Sequence, residues 1–309
     1  MLTETAPLPA AGVLPHAAPA ISVRGLRVTY GDVEAVRGID LEVPRGEILA
    51  LLGPNGAGKT STVEVLEGFR DATAGDVEVL GQDPRNAGRG WRDRLGIVLQ
   101  ETAPEFNLTV RECLRLYAGY YSAPRDLDEV LGLVGLEESE GQRTDRLSGG
   151  QRRRLDVALA LVGDPELIFL DEPTTGFDPA ARRRTWEVVN GLRALGKTIL
   201  LTTHYMEEAE RLADRIVVMA RGEVVAEGTP ATLGGRDRAA AVVTFSLPGG
   251  MPAPPVGEVD ERGRVLLRTH HIPADLEALA QWALAHDLPL ADLAVRPPTL
   301  EDVYLELTR

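Results

Sequence analysis

The chain has 309 residues, 44% of them hydrophobic, and a formal net charge of -14 at pH 7, so it can bury the cores of one large domain and a smaller one. Its acidic balance argues against a nucleic-acid partner and against simple electrostatic adhesion to anionic lipid, because both require a basic surface. No apolar run approaches the roughly 20 residues that span a bilayer, and the single cysteine, Cys113, cannot form an internal disulfide, so we expect a cytosolic protein.

The first part of the chain predicts a tail followed by short strands and a helix. Residues 1–20 are rich in Ala and Pro, show no period, and have neither the basic start nor the apolar stretch of a signal peptide, so we expect a disordered tail. Alternating patterns predict strands over residues 21–30 and 33–43. A buried strand over residues 47–52 and a helix from about 58 to 67 follow.

The middle of the chain predicts an α/β fold. Further strands are expected over four short segments: 77–80, 96–99, 167–170 and 198–202. The last three are apolar runs typical of a parallel sheet that is buried on both faces. Residues 108–162 are expected to be mainly helical, and residues 215–226 to form a hairpin that turns at Arg221-Gly222.

The pattern changes after Gly234-Gly235 and predicts a small α+β appendix. Its expected elements are strands at 240–247, 264–269 and 290–295, a helix at 274–286, and a last helix that starts at Thr299 with Asp302 as its capping partner. We therefore expect three regions: a tail over residues 1–20, a main domain over 21–233, and an accessory domain over 236–309.

Residues 53–60 form a glycine-rich loop between the buried strand and the helix. Their sequence fits the pattern G-x-x-x-x-G-K-[ST] and reads Gly53-Pro54-Asn55-Gly56-Ala57-Gly58-Lys59-Thr60. Glycines let the backbone curl so that its N–H groups and the helix N-terminus face phosphate oxygens. Lys59 would reach the β and γ phosphates and Thr60 would hold Mg²⁺, with Ser61 next to them. The alternative is a turn without chemical purpose, which the flanking strand and helix disfavour.

Two adjacent acids, Asp171 and Glu172, follow the apolar strand at 167–170. The carboxyl ends of parallel strands are where α/β sheets bind ligands. Asp171 would then hold Mg²⁺, and Glu172 would polarise the attacking water as general base. The alternative is a pair of exposed carboxylates at the start of a loop, which becomes the weaker interpretation once the phosphate loop is present.

The string Leu147-Ser148-Gly149-Gly150-Gln151 resembles the signature motif of ATP-binding cassette (ABC) ATPases. Ser148 is a favourable N-cap, and the glycines leave the following helix N-terminus accessible to a phosphate. A capping role alone is the alternative, but Ser148 also precedes Asp171 by 23 residues (171 − 148). The resemblance covers about residues 21–233. It implies a P-loop NTPase of the α/β class, an ABC-type nucleotide-binding domain with an antiparallel β-subdomain and a helical subdomain.

Further positions match the family motif by motif. Gln100 resembles the glutamine-loop residue, which implies contact with Mg²⁺ or the attacking water. His204 resembles the switch histidine that contacts the γ-phosphate. Asp178 resembles the loop residue that links two opposed subunits, although Phe177 stands where leucine is usual. Tyr30 resembles the aromatic that stacks on adenine, with a core tyrosine at a strand end as its alternative.

Two less specific sequence matches indicate a subfamily. Residues 65–70 and 300–307 resemble the ATPase subunits of ABC-2 type exporters, such as antibiotic-resistance exporters. The resemblance implies ATP and Mg²⁺ as cofactors, a homodimer with ATP between two copies, and an integral-membrane permease partner at the cytoplasmic face of the membrane. Residues 106–121 are our candidate for the permease contact. The alternatives are a non-transport ABC ATPase and a weakly hydrolysing regulatory nucleotide-binding module.

Overall fold

The computed structural model describes residues 18–99, 107–238, 240–260, 262–296 and 299–307. In chain order the strands are β1 (Ile21–Tyr30), β2 (Val33–Val43), β3 (Ile48–Leu52), β4 (Ala74–Val79), β5 (Leu95–Val98), β6 (Leu167–Asp171), β7 (Thr198–Thr203), β8 (Arg215–Ala220), β9 (Glu223–Gly228), β10 (Ala241–Ser246), β11 (Glu258–Val259), β12 (Arg264–Thr269) and β13 (Ala291–Arg296). The α-helices are α1 (Lys59–Leu66), α2 (Arg89–Arg92), α3 (Val110–Ala118), α4 (Leu127–Val134), α5 (Gly149–Leu161), α6 (Pro179–Ala194), α7 (Met206–Leu212), α8 (Ile272–Ala285) and α9 (Leu300–Leu307).

The expected strands are present, with their ends displaced by a few residues. The largest difference is β4, which begins at Ala74 where the pattern predicted a start at Val77. The sequence reading did not predict α6, although Asp178 caps it and Pro179 occupies its first turn, which is a recognised start signal. The expected disordered tail falls largely on residues outside the described part of the chain.

The central sheet brings the candidate site residues to one edge. Its strand order is β5-β6-β7-β3-β8-β9, parallel except for β9. Leu52 pairs with Thr203 and Asp171 pairs with Thr202. The segments that leave β3, β6 and β7 therefore start side by side at the carboxyl edge, where ligands bind in sheets of this kind.

Both faces of this sheet are buried, because alternate residues of each strand point to opposite sides. In β3, Ile48 and Ala50 face one core and Leu49 and Leu51 face the other. The first core lies under helices α3 to α6, and the second lies between the sheet, α1 and the antiparallel sheet β2-β1-β4. The expected antiparallel β-subdomain and helical subdomain are thus confirmed.

The C-terminal region forms a separate antiparallel sheet with one covering helix. Its order is β11-β12-β10-β13, and α8 packs Leu279 against Val243, Phe245 and Val265. Helix α9 instead returns to the core of the larger region, where its Leu300 is 1% exposed. Among the described residues, no helix combines the length and the apolar character needed to cross a bilayer.

Candidate functional site

The phosphate loop adopts the backbone that its glycines permit. Gly58 has φ = 100° and caps α1, a left-handed conformation that glycine adopts without strain. A Cβ atom at Gly58 would lie 2.6 Å from the Ala35 carbonyl oxygen, and one at Gly53 would lie 2.4 Å from the Met219 carbonyl oxygen. The loop is therefore packed so closely against its neighbours that glycine is required at both positions.

Lys59 is the buried cation of this loop. It is 5% exposed, and its Nζ donates hydrogen bonds to the carbonyl oxygens of Gly53 at 2.7 Å and Pro54 at 3.2 Å. Burial lowers the pKa of the Lys59 amine, while the carboxylates of Glu172 and Asp171 oppose that shift. A phosphate anion beside Lys59 would favour the charged amine in the same way.

An open cavity of about 320 Å³ lies over the loop. Its lining consists of the loop, the start of α1, one residue of β2 and one acid: Asn55, Gly56, Ala57, Gly58, Lys59, Thr60, Ser61, Ala35 and Glu172. Gly53 and Pro54 lie beneath Lys59 as its hydrogen-bond acceptors. Backbone N–H groups, a helix N-terminus and a buried lysine together are suited to bind a phosphate chain.

Thr202 contacts both predicted acids, the first through its carboxylate and the second through its backbone N–H. Its hydroxyl donates a hydrogen bond of 2.5 Å to Asp171 Oδ1, and the backbone N–H of Glu172 lies 3.0 Å from the same hydroxyl oxygen. Glu172 has φ = 44°, a left-handed backbone that is costly for a side-chain-bearing residue and concentrates at functional sites. The strained turn points the Glu172 carboxylate into the phosphate-loop cavity.

His204 faces the second carboxylate. Its Nδ1 lies 3.2 Å from Glu172 Oε1, and the Thr175 hydroxyl donates a hydrogen bond of 3.0 Å to Glu172 Oε2. The structure thus brings together the residues predicted as base and as switch histidine, from the ends of two neighbouring strands. A carboxylate that accepts a hydrogen bond from Thr175 and lies beside an imidazole and a phosphate cavity can orient a water molecule for attack.

The residues present fit a Mg²⁺ ion that is shared with phosphates. Thr60 is exposed at the mouth of the cavity, and Asp171 ends the neighbouring β6. Within the described residues no group of three or more His, Cys, Asp and Glu side chains is arranged to hold a metal alone. Mg²⁺ typically takes only one or two protein ligands together with waters and substrate phosphates. The Thr60 hydroxyl and the Asp171 carboxylate would supply two such ligands.

The signature segment forms a reciprocal cap at the start of α5. The Gln151 backbone N–H donates to Ser148 Oγ, and the Gln151 side chain accepts from the Ser148 backbone N–H. The Gln151 amide also donates to Ser139 Oγ at 3.0 Å. Gln151 is thus engaged within its own chain, whereas the Ser148 hydroxyl hydrogen remains available for a ligand.

A second cavity, of about 240 Å³, lies at this cap. It is lined by the signature segment, the loop before α6 and two arginines: Ser148, Gly149, Gly150, Gln151, Gly176, Phe177, Asp178, Ala181, Arg154 and Arg184. Asp178 caps α6 by accepting from the backbone N–H groups of Ala180 and Ala181. The two cavities share no lining residue, so the signature segment and the phosphate loop of one chain lie at separate cavities.

Tyr30 lies at the end of β1 and is 41% exposed, so it is not a core tyrosine. Its hydroxyl lies 3.0 Å from Ser61 Oγ, and the guanidinium of Arg70 stacks 4.3 Å from its ring centroid. Arg70 is itself held by Glu64 at 2.7 Å. An exposed ring fixed beside the phosphate-loop helix is suited to stack on a nucleotide base.

Comparison with known proteins agrees with this geometry. The model of the family described as "ABC transporter" matches residues 36–175. The chain is 40% identical over 302 residues to the Nod factor export ATP-binding protein I of Ralstonia nicotianae, with 94% of each chain covered. The chain belongs to the ATP-binding subunits of ABC transporters. This confirms the family resemblance, the P-loop NTPase fold and the ATPase expectation.

Two further matches extend the comparison. The daunorubicin resistance ATP-binding protein DrrA3 of Streptomyces coeruleorubidus is 40% identical, covering 94% of this ABC chain and 96% of the relative. A solved dimeric bacterial ABC transporter cassette, MJ0796, is 25% identical with a TM-score of 0.61, covering 68% of this chain and 98% of that one. Residues 241–299 match a model described as the C-terminal domain of ABC transporter domain-containing protein-like chains.

Two expectations for this ABC chain fall at least partly outside the described residues. Gln100 lies outside them. Phe106, the first residue of the candidate permease surface at 106–121, also lies outside the described residues. The described part of that segment exposes large apolar side chains. Leu116 is 44% exposed and Tyr120 is 59% exposed, whereas Leu114 is buried in the core.

Sequence reasoning missed two residues that join parts of the site. Thr202, described above, joins the Asp171 carboxylate to the backbone N–H of Glu172. Arg153 of α5 is 7% exposed and donates to the carbonyl oxygens of Asp171 at 2.7 Å and Pro173 at 3.3 Å, and to that of Leu99. Arg153 therefore ties the signature helix to the ends of β5 and β6. The sequence shows only a run of three arginines after Gln151, and it is the structure that shows the middle one to be buried.

Proposed function

We propose that two copies of this chain bind ATP and Mg²⁺ between them and hydrolyse the ATP to drive an ABC-2 type membrane exporter. One observation carries the dimeric part of this proposal: each chain presents its phosphate-loop cavity and its signature cavity as separate half-sites. A complete site then needs Lys59 of one copy and Ser148 of another. The dimeric cassette of the same fold supports that pairing.

In the composite site each candidate residue has a role. The N–H groups of the loop and Lys59 bind the phosphates, and Tyr30 stacks on the adenine. Glu172 accepts a proton from the attacking water and His204 contacts the γ-phosphate. The Ser148 hydroxyl and the glycine N–H groups of the opposite copy close over the γ-phosphate, with Asp178 at the interface.

We assign Mg²⁺ to the hydroxyl of Thr60 and the carboxylate of Asp171, with Gln100 as a further candidate. When bound, the ion neutralises charge that develops on the β and γ phosphates. Thr202 fixes the orientation of the Asp171 carboxylate through its 2.5 Å hydrogen bond.

The exporter assignment rests on relatives that span nearly the whole chain. The names of the two relatives refer to Nod factor export and to daunorubicin resistance. We assign the ATP-binding domain to residues 21–233 and an accessory domain to residues 236–309, whose last helix, α9, packs on the core of the ATP-binding domain. The exposed Leu116 and Tyr120 are placed at the contact with an integral-membrane permease, which would hold the subunit peripherally at the cytoplasmic face of the cell membrane.

The Glu172→Gln variant tests the composite site. It keeps the shape of the cavity but removes the base, so we expect it to bind ATP with Mg²⁺, turn over at least about 100-fold more slowly than wild type, and form a stable dimer. Sedimentation with and without saturating ATP measures the association, and phosphate release measures the turnover. A variant that binds ATP and stays monomeric would refute the shared site; wild-type turnover by the variant would remove Glu172 from its role.

The exporter role needs a second measurement. The chain is co-produced with a membrane protein of about six spanning helices from a neighbouring reading frame and purified in detergent. Co-purification and altered ATPase rates are expected for wild type, and the double replacement of Leu116 and Tyr120 by Ser is expected to lose both effects while retaining the basal rate. Failure of every such membrane protein to associate would favour a non-transport ABC ATPase.

A further inference from the structure

Tyr205, the residue after the switch histidine, packs against two other side chains. The Tyr205 ring lies 4.1 Å from the His204 ring, centroid to centroid, at an interplanar angle of 41°. The guanidinium carbon of Arg182 lies 4.7 Å from the centroid of the Tyr205 ring. Both contacts fall within the range of attractive aromatic and cation–π interactions.

This stack supplies a restraint that hydrogen bonding does not. Nδ1 of His204 is buried, and no described residue forms a hydrogen bond of accepted geometry with it, although Glu172 Oε1 is only 3.2 Å away. Ring packing against Tyr205 is therefore a principal restraint on the orientation of the imidazole in this state.

Arg182 links the stack to the surface of the second cavity. It belongs to the first turns of α6, the helix that Asp178 caps within the signature cavity. Its Nη1 lies 3.5 Å from Glu207 Oε2, which keeps the guanidinium above the segment that carries Tyr205. A shift of α6 would thus move the group that packs on Tyr205.

A second contact fixes the same segment to α6. Glu208 is fully buried, and its Oε1 accepts hydrogen bonds from the Thr174 hydroxyl at 2.8 Å and from Trp186 Nε1 at 3.2 Å. Trp186 lies one helical turn beyond Arg182. The segment from His204 to Glu208 is therefore attached to α6 at two successive levels.

We propose that Tyr205, clasped between His204 and Arg182, is a positioning residue that ties the orientation of His204 to α6 and so to the surface that meets the opposite copy. The proposal rests on the composite site described above. When the signature cavity of one chain closes over the nucleotide of its partner, α6 moves and the stack re-aims His204 at Glu172 in its own phosphate-loop cavity.

Replacements at Tyr205 separate the ring from the hydroxyl. Tyr205→Leu removes the stacking face and is expected to lower kcat by about tenfold while KM for ATP changes by less than about twofold, because the phosphate-binding groups are untouched. Tyr205→Phe keeps the ring and is expected to restore kcat. Arg182→Met is expected to lower kcat in the same direction. The control Arg183→Met is not, because Arg183 is an exposed neighbour whose side chain donates a hydrogen bond to the Pro179 carbonyl oxygen.

A double-mutant cycle decides whether Tyr205 acts through His204. In a His204→Ala background, Tyr205→Leu is expected to cause no further loss of kcat. An equal additional loss in that background, or an unchanged kcat for Tyr205→Leu alone, would overturn the inference. Nucleotide-driven dimerisation of Glu172→Gln, with Tyr205 intact, is measured in parallel. If this variant does not dimerise, the composite site itself is refuted. If it dimerises but Tyr205→Leu has the kcat of wild type, only the positioning role is refuted.

Discussion

Nδ1 of His204 lies 3.2 Å from Oε1 of Glu172, although 32 residues separate them in the chain (204 − 172). Each directly follows a strand of the parallel sheet, and those strands, β6 and β7, are hydrogen-bonded neighbours. The pairing of Asp171 with Thr202 sets the register that brings the two side chains together. The proximity of this proposed catalytic pair is thus a consequence of strand order and register.

Removal of the imidazole should affect turnover more than binding. We expect His204→Ala to lower kcat by roughly 100-fold, at the lower end of acid–base effects, with KM for ATP changed by less than about threefold. Steady-state phosphate release at several ATP concentrations separates the two parameters. His270→Ala, at an exposed position in the C-terminal region, is the control; a loss confined to KM in His204→Ala would contradict its place beside Glu172.

The lysine of the phosphate loop should govern affinity. Lys59→Met removes a buried cation whose hydrogen bonds to charged groups are worth about 1.5–3 kcal/mol, so the Kd for ATP should rise roughly tenfold to 100-fold. Isothermal titration or fluorescence of an ATP analogue measures it. Lys197→Met is the matched control, because Lys197 is the other lysine of the chain and pairs with Asp164 at 2.8 Å. Equal affinity in both variants would exclude Lys59 from phosphate binding.

Ser148→Arg should separate hydrolysis from binding. A bulky side chain at the signature cavity blocks approach of the opposite copy, so we expect ATP hydrolysis to be lost while the Kd of the single chain changes little. Replacement of an N-cap also lowers stability by about 0.5–2 kcal/mol. Thr109→Arg controls for that loss, because Thr109 and Glu112 form the same reciprocal cap at α3, outside both cavities. A collapse of ATP affinity in Ser148→Arg alone would mean that the signature segment acts within its own chain.

Much of the nucleotide site could be predicted because its motifs are local. The phosphate loop, the acids after β6 and the serine cap of α5 each combine a short pattern with a strand or helix boundary, and both parts are visible in sequence. Lys59 was also conspicuous as one of two lysines. Such features need no knowledge of distant contacts.

The features that sequence reasoning missed depend on distant contacts. Arg153 differs from its neighbours only in facing the ends of β5 and β6, which its helical position alone does not reveal. Thr202 is one of several buried threonines until the β6–β7 register places it at Asp171. Helix α9 was assigned to the appendix, yet its Leu300 and Tyr304 pack into the larger core, a choice set by tertiary packing.

A buried acid at the C-terminal cap of α1 predicts a pH-dependent stability. Burial, together with the nearby carboxylates of Asp171 and Glu64, raises the pKa of Glu67 to about 8 from its ordinary value of 4.5. Between these values the folded chain holds a proton that the unfolded chain has released, so stability falls as pH rises toward 8, by up to about 1.4 kcal/mol per pH unit. Glu67→Gln removes this pH dependence of the free energy of unfolding. The difference in free energy of unfolding, variant minus wild type, should therefore increase by on the order of 1–3 kcal/mol between pH 5.5 and 8.

Urea unfolding of the nucleotide-free protein at several pH values measures this difference. Glu166→Gln is the control, because Arg94 and Arg45 hold the pKa of Glu166 at about 2 and its carboxyl is ionised in folded and unfolded chains over most of the range. The Glu166→Gln curve should therefore run parallel to wild type above pH 5.5. A Glu67→Gln curve that is also parallel would show that Glu67 is ionised in the folded protein.

The close approach of Gly163 and Tyr121 predicts a strongly coupled pair. A Cβ atom at Gly163 would lie 2.2 Å from Cε1 of Tyr121, so Gly163→Ala must displace the ring and should destabilise the fold by about 1–3 kcal/mol. Tyr121→Ala in the same chain removes the clash, so the double variant should lose less than the sum of the single variants. Gly191→Ala in α6 meets no atom within 4 Å and should stabilise by about 0.5–1 kcal/mol. Urea midpoints for the four variants test this directly; strict additivity at Gly163 and Tyr121 would show that the ring does not occupy this position.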